Sequence, residues 1–376
     1  MKIGIVTFHR ALNYGAVLQA CAMRRIFSDH GEVEMVDYWP DYHSSHYSLL
    51  DTRFLNKNQS LSSRVRLLKS AIKRIILLPV RLKRNKKFLS FIDSNIVKVS
   101  NAPIKLANKI PDYFDVVVYG SDQIWRVYDF DNYPRPDMVY MGAGVLDGTR
   151  KIAFAASMGD VNVDTLCDDS VIKALKNFEH INVREQALSE SLLKHSGLSS
   201  CVVLDPTFLV SSDVWKRMAE TIPRNRKDNK YALFYSLIPS EESIRIAKNI
   251  AEEKGVELVE INGFETIGGL FNKSVAQSAG PLDFLELIMN AEFIVSTSFH
   301  GVVFSIIFEK QFCACGMKGH SERVRSLLSK LSIEDRLIDT VEQLESLGEI
   351  DYKEVTKLLA REIEHSKELL EYSLFE

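Results

Sequence analysis

The sequence predicts an α/β fold of two doubly wound, Rossmann-like domains facing a cleft. Short apolar strands alternate with helical stretches along most of the 376 residues, the pattern of parallel sheets covered by helices. The alternation breaks at Pro223-Arg224-Asn225-Arg226-Lys227-Asp228-Asn229-Lys230, polar and turn-rich, and then restarts. The strands also tend to end in small or polar residues, as the ligand-bearing carboxyl edges of open α/β sheets do. The chain is long for one hydrophobic core. Domains over 1–215 and 230–345 are therefore expected, with a basic helical insertion at 53–92 and a closing amphipathic helix at 350–376.

Lys2 to Phe8 reads as the first strand, and Asn13-Tyr14-Gly15 as the turn into a helix carrying Val17, Leu18, Ala20, Cys21 and Ile26. Val33 to Tyr38 is a second strand and Val116 to Tyr119 a third, ended by Gly120-Ser121-Asp122. Lys151 to Ala156, His180 to Val183 and Cys201 to Leu204 follow, each handing over to Ser157-Met158-Gly159, Arg184-Glu185 and Asp205-Pro206-Thr207. In the second half, strands are expected at Tyr231 to Leu237, Val256 to Ile261, Phe293 to Val295 and Gln311 to Cys315. Helices are expected at Glu241 to Lys254, Pro281 to Asn290 and Tyr352 to Leu374.

The beginning of the chain shows no signal-peptide pattern, and no apolar run approaches the roughly 20 residues that a spanning helix needs. A cytoplasmic protein is expected. The five cysteines are odd in number and scattered, which argues against a disulfide framework. Cys313-Ala314-Cys315 lacks the further ligands a metal would require, so these read as buried strand thiols and no metal site is expected. The net charge of −3 hides a division: Arg53 to Ile92 holds twelve Lys or Arg and no acidic residue, leaving 35 basic against 50 acidic residues elsewhere. Within it Leu68, Ile72, Ile75 and Ile76 fall on one helical stripe, and Arg81, Lys83, Arg84, Lys86 and Lys87 extend the charge. Two readings stand. Either the stripe packs on its own domain, or the segment docks on anionic lipid or a lipid-phosphate-linked substrate. No nucleic-acid-binding module accompanies the charge, and nucleic acid is not an expected partner.

Ser296-Thr297-Ser298-Phe299-His300-Gly301, directly behind a buried strand, is the leading candidate reaction centre. Hydroxyls and free backbone N–H groups at a helix start attract an anion, and a histidine there serves as acid or base near neutral pH; a helix-start histidine bonded to backbone is the plainer reading. Asn13, Tyr14 and Gly15 form a second helix start, either an ordinary turn or an anion site, with His9 and Arg10 open to either role. Gly120, Ser121, Asp122, Trp125 and Arg126 offer close backbone approach, a carboxylate that either caps a helix or faces the cleft, and an indole for a sugar to stack on. Arg184 is a fixed cation at a strand end, its nearby acidic partners Glu185 and Glu190; its fork matches carboxylate or phosphate.

Taken together, Thr7 to Gln19, Tyr119 to Arg126, Val183-Arg184-Glu185, Leu204 to Phe208 and Ser298-Phe299-His300-Gly301 make the chain resemble the polysaccharide pyruvyl transferase family. That resemblance implies a two-domain protein of the glycosyltransferase B type. It implies transfer of pyruvate from phosphoenolpyruvate onto two hydroxyls of a sugar, free or lipid-linked in its precursor, as a cyclic ketal in cell-surface polysaccharide synthesis, without a cofactor. His300, Asp122 and Arg184 are then the expected catalytic residues, with Arg184, Ser296, Thr297, Ser298, His300, Gly301 and Arg323 holding the donor. Asn13, Tyr14, Gly15, Gly120, Ser121, Asp122, Trp125 and Arg126 fall on the acceptor side; on the lipid reading of the basic segment, peripheral contact with the inner face of the membrane would run through 53–92. Family members commonly carry an arginine where this chain has Ser298, so another cation is needed, with Arg126, Lys318 and Arg323 as candidates, or a different donor is used. A nucleotide-sugar glycosyltransferase of the same architecture and a catalytically silent glycan-binding subunit are the rival readings.

Overall fold

Strands that are apolar on both faces organise each half of the chain, because a parallel sheet covered by helices on both sides exposes neither face. The computed structural model describes residues 1–46, 61–99, 102–127, 136–145, 148–159, 161–223, 230–316 and 322–376. The head of the basic segment at 53–60, the polar break at 224–229 and Lys318 lie outside the described residues.

The first half runs β1 (Lys2–Val6), α1 (Tyr14–Ser28), β2 (Glu32–Met35), α2 (Asp41–His46), α3 (Leu61–Ile76), α4 (Leu78–Asn95), β3 (Val116–Tyr119), β4 (Arg150–Ala156), α5 (Val163–Leu166), α6 (Asp169–Leu175), β5 (His180–Val183), α7 (Gln186–Ser196), β6 (Cys201–Val202), α8 (Pro206–Leu209) and α9 (Ser212–Glu220). The second runs β7 (Tyr231–Ser236), α10 (Glu241–Glu253), β8 (Glu257–Asn262), α11 (Pro281–Asn290), β9 (Phe293–Ser296), α12 (Phe299–Ile307), β10 (Phe312–Cys315), α13 (Glu322–Lys330), β11 (Leu337–Ile338) and α14 (Tyr352–Phe375). The strands form two sheets, in the orders β2-β1-β3-β4-β5-β6 and β11-β10-β9-β7-β8. Every neighbouring pair is parallel, so each sheet presents all its carboxyl ends on one edge. Two α/β domains with parallel sheets are thus observed.

Local chemistry sets several helix starts. Asn13 Oδ1 accepts from Ala16 N at 3.2 Å and caps α1, while Asp205 caps α8 with Pro206 in the first turn. Strand ends fall short of the sequence reading where the chain leaves the sheet to build the site. β1 stops at Val6 because Thr7 turns away, its Oγ1 donating to the Ser121 carbonyl at 3.0 Å. β11, two residues long, leaves no apolar run by which to foresee it.

The two sheets share one core. A single hydrophobic cluster takes in Tyr14, Val17 and Leu18 of α1 together with Phe284 of α11 and Val302 and Phe304 of α12. Tyr14 is the clearest join: its ring stacks on Phe284 at 4.9 Å and its hydroxyl donates to the Ala279 carbonyl at 3.0 Å. α9 runs through residue 215, where a boundary was expected. Its buried Trp215 donates to the Thr207 carbonyl at 3.0 Å and meets the Phe304 ring edge-on, so the helix bridges both halves. α14 begins against the second half, where Lys330 pairs with Glu362, and ends on the first, where Arg150 donates to the carbonyls of Ser373 and Leu374.

The basic segment divides in two. Arg81 and Arg84 pair with Glu265 at 3.7 and 3.1 Å, and Lys87 with Asp283 at 2.7 Å, so these three cations join the insertion to the second half. The apolar stripe of α3 does not pack on its own domain: Leu68, Ile72, Ile75 and Ile76 are exposed. Cys313 and Cys315 are buried in β10.

Candidate functional site

The carboxyl ends of both sheets meet at His300. β9 delivers Ser296 to the edge of its sheet, and α12 starts at Phe299, so His300 stands in the first helical turn. Its imidazole crosses to the first half and lies against Gly15 of α1 and 3.5 Å from Asp205 Oδ2. Gly15 leaves the room the imidazole takes, since a Cβ there would overlap the ring and force it to shift.

Asp205 is the hub. Arg184 Nη1 donates to its Oδ2 at 2.5 Å, Ser121 Oγ donates to the same oxygen at 3.3 Å, and Thr207 holds Oδ1 through its N–H and hydroxyl. Burial alone would raise this carboxyl, but His300 and Arg184 hold it well below the usual carboxylate range. Arg184 is raised despite burial, because Asp205, Glu185 and Asp122 surround it with negative charge. Glu185 accepts from Ser157 at 2.5 Å, and burial pushes it up more than Arg184 and Arg323 pull it down.

Two arginines lie against one aromatic ring. The guanidinium carbons of Arg184 and Arg323 are 4.6 and 5.5 Å from the centroid of Phe299. Burial and the adjacent Arg184 charge push Arg323 down to about 10, and Arg126 adds to that repulsion. Among the described residues Arg323 has no ion pair. Among the described residues Nη2 of Arg184, Oε2 of Glu185 and Oη of Tyr235, all buried, also lack a hydrogen-bond partner, while Nε2 of His300 and Nε of Arg184 have only the long ion-pair contacts to Asp205 and Glu185, at 3.5 and 3.6 Å. Each unmet buried donor or acceptor costs about 1–3 kcal/mol, so the arrangement is one that an anionic, hydrogen-bonding ligand would complete. The first N–H groups of α12 add fixed partial positive charge at the same place.

The expected site residues separate into two groups. Arg184, His300, Arg323, Ser121 and the partly exposed Asp122 and Arg126 gather here, as the contacts and mutual charge effects of the cluster show. Ser296 and Thr297 turn their hydroxyls to the turn itself, Ser296 bonding the Ser298 N–H and carbonyl and Thr297 bonding Ser236. Gly301 is required for packing, because a Cβ would collide with Ser296 and Tyr235. Asn13 is engaged as the cap of α1.

Tyr14 and Trp125 are corrections. Both are 1% exposed, Tyr14 within the join between the halves and Trp125 with its Nε1 donating to the Tyr140 carbonyl, so neither ring offers a face to a sugar. Gly120 packs its α-carbon against the Phe154 carbonyl. Asp122 starts no helix: it sits at φ 67, its Oδ1 accepting from Gln123 N at 2.8 Å. His9 and Arg10 both close on Asp37, at 2.9 and 2.5 Å.

Sequence reasoning gave no role to Asp205, Tyr235 or Phe299 and counted Glu185 only as a partner of Arg184. The signal for Asp205 was available, since Asp-Pro-Thr behind an apolar strand marks a capped helix start at a carboxyl edge. Among the described residues no group of three His, Cys, Asp or Glu gathers that could hold a metal ion.

The family model described as polysaccharide pyruvyl transferase matches residues 13–319, which takes in every part of this cluster except Arg323. The chain belongs to the polysaccharide pyruvyl transferase family. Membership makes it a member of a transferase family acting on polysaccharide. No curated protein matches the sequence. Among solved structures it is similar to UDP-N-acetylglucosamine 2-epimerases. One is from Methanocaldococcus jannaschii in complex with UDP-GlcNAc and UDP, at 13% identity over 99% of this chain and 100% of that one, TM-score 0.49. Another is from Rickettsia bellii, at 12% identity over 100% and 97%, TM-score 0.48. A glycosyltransferase from Rickettsia africae ESF-5 is similar at 11% identity over 98% of both chains, TM-score 0.43. No helix among the described residues is long and apolar enough to cross a membrane.

Proposed function

We propose that this chain moves pyruvate from phosphoenolpyruvate onto two hydroxyls of a sugar in a cell-surface polysaccharide precursor, forming a cyclic ketal on the cytoplasmic side of the membrane. The observation that carries this reading is the buried Nη2 of Arg184, which has no hydrogen-bond partner among the described residues, next to the loosely held Nε2 of His300 and to Arg323, which has no ion pair among the described residues. Family membership supplies the reaction class. A donor bearing both phosphate and carboxylate matches two guanidinium groups, each able to fork onto one of those anions.

In this reading Arg184 and Arg323 hold the donor's two anionic groups, and the start of α12 adds its N–H groups. Arg323, reaching in from α13, takes the place of the arginine that relatives carry where this chain has Ser298. His300 protonates the methylene carbon of the enol, which makes the adjacent carbon electrophilic. One sugar hydroxyl adds there and gives its proton to Asp122. Inorganic phosphate leaves, and the second hydroxyl closes the ketal as its proton passes to His300, which is thereby restored. Asp205 keeps His300 and Arg184 in register. General acid–base assistance of this kind contributes about 10²–10⁴-fold to a rate.

The test is phosphate release from phosphoenolpyruvate in the presence of sugar nucleotides and lipid-linked sugars. Release dependent on one acceptor class is expected, with loss in His300→Ala. Release at background with every acceptor would defeat the donor assignment.

A further inference from the structure

The insertion of α3 and α4 has two faces with different chemistry. Its inner face is anchored, through Arg81, Arg84 and Lys87 to Glu265 and Asp283 and through the buried Ala71, Leu77 and Phe88. Its outer face is apolar and open: Leu68, Ile72, Ile75 and Ile76 are 47–59% exposed and Leu82 48%. The spacing from Leu68 to Ile76 is i, i+4, i+7 and i+8, a single stripe along the helix. Lys69, Lys73, Lys83 and Lys86 are exposed along the same two helices. The inner ion pairs thus fix which way the outer face points and leave these lysines as its free charge.

On the anchored side the second half exposes apolar residues of its own. Arg84 Nη1 donates to the Gly263 carbonyl and to Glu265, and between them Phe264 turns its ring outward, 63% exposed. Ile267 and Phe271 of the same loop are 40% and 85% exposed. Four exposed apolar side chains on one stripe, Leu68 to Ile76, mark an interaction surface rather than the scatter normal on a protein exterior.

We propose that this face docks on an anionic lipid surface, the isoleucine stripe entering the headgroup boundary while the lysines meet lipid phosphates. An apolar stripe with a lysine-rich flank is the design of an interfacial helix. A second copy is disfavoured, since self-pairing of this face would bring lysines against lysines. Nucleic acid would leave the isoleucines without a partner. The inference stands apart from the donor chemistry, because binding to lipid needs no substrate.

Co-sedimentation of the full chain with vesicles tests it, using phosphatidylcholine alone and phosphatidylcholine with about 30 mol % phosphatidylglycerol. At least about tenfold stronger partition onto the anionic vesicles is expected. The exposed double variants Ile72→Asp/Ile75→Asp and Lys69→Glu/Lys73→Glu should each lower it at least about tenfold, with circular dichroism unchanged. Equal partition onto both vesicles overturns the proposal, and so does undiminished binding by the isoleucine variant. A dimer of the wild-type chain that the isoleucine variant dissolves, without vesicle binding, would assign the face to a second copy and overturn it as well.

Discussion

The imidazole of His300 rests on Gly15, packed so closely that a methyl group at position 15 would fall inside the ring. The two residues come from opposite halves of the chain, so α1 acts as the backstop that sets where His300 points. Gly15→Ala is therefore expected to displace the imidazole. A misplacement of about 1 Å costs on the order of 10²-fold in rate. Phosphate release by Gly15→Ala should fall by that order while the far-ultraviolet circular dichroism is retained. Full activity would show that the contact does not position the histidine.

Asp205 joins Arg184 to His300 with no exposure of its own side chain. Removing one partner of a buried pair costs about 3–5 kcal/mol, so Asp205→Ala should lower the urea midpoint of unfolding accordingly. Asp205 is held below its unfolded value, which makes its stabilisation fully present above about pH 4 and lost as pH falls through the folded value. The stability gap between wild type and Asp205→Ala should narrow in acid. A gap constant with pH would contradict the ion-pair assignment.

Arg323 is pushed down to about 10, so its burial is unfavourable to the charged form that an anion needs. Arg323→Gln should weaken phosphoenolpyruvate binding about 10- to 100-fold, read by titration near neutral pH, where the guanidinium is charged. Undiminished binding would remove Arg323 from the donor site.

Tyr14 and Arg84 join the two halves, the Arg84 guanidinium lying 5.2 Å from the Tyr14 ring. Tyr14→Phe keeps the stack on Phe284 and loses only the bond to Ala279, an expected cost of about 0.5–1.5 kcal/mol. Tyr14→Ala loses the ring as well and should cost about 3–5 kcal/mol. Equal midpoints for the two variants would mean that the aromatic join carries no stability.

The fold was largely legible because runs such as Val116 to Tyr119 have no amphipathic phase and can only be strands buried on both faces. The turns behind them were legible for the same reason, and they led directly to Arg184 and His300. What stayed hidden depends on contacts between distant parts of the chain. Asp205 meets Arg184 only once β5 and β6 pair, and His300 only once the two sheets are assembled, and no local spacing records that. Trp125 shows the converse, since an aromatic residue in a turn reads alike whether its ring faces a ligand or Tyr140. The basic segment looked uniform, yet the ion pairs that anchor Arg81, Arg84 and Lys87 were decided by Glu265 and Asp283, about two hundred residues away in sequence.

The most direct test of the site is calorimetric titration of phosphoenolpyruvate into the wild-type chain, Arg184→Gln and Arg323→Gln. Saturable binding by wild type, abolished or strongly weakened in both variants, is expected if the unpartnered donors form the donor site. Absence of binding to wild type, or equal binding in all three proteins, would contradict it, and saturable binding of a nucleotide sugar in its place would transfer the site to another donor.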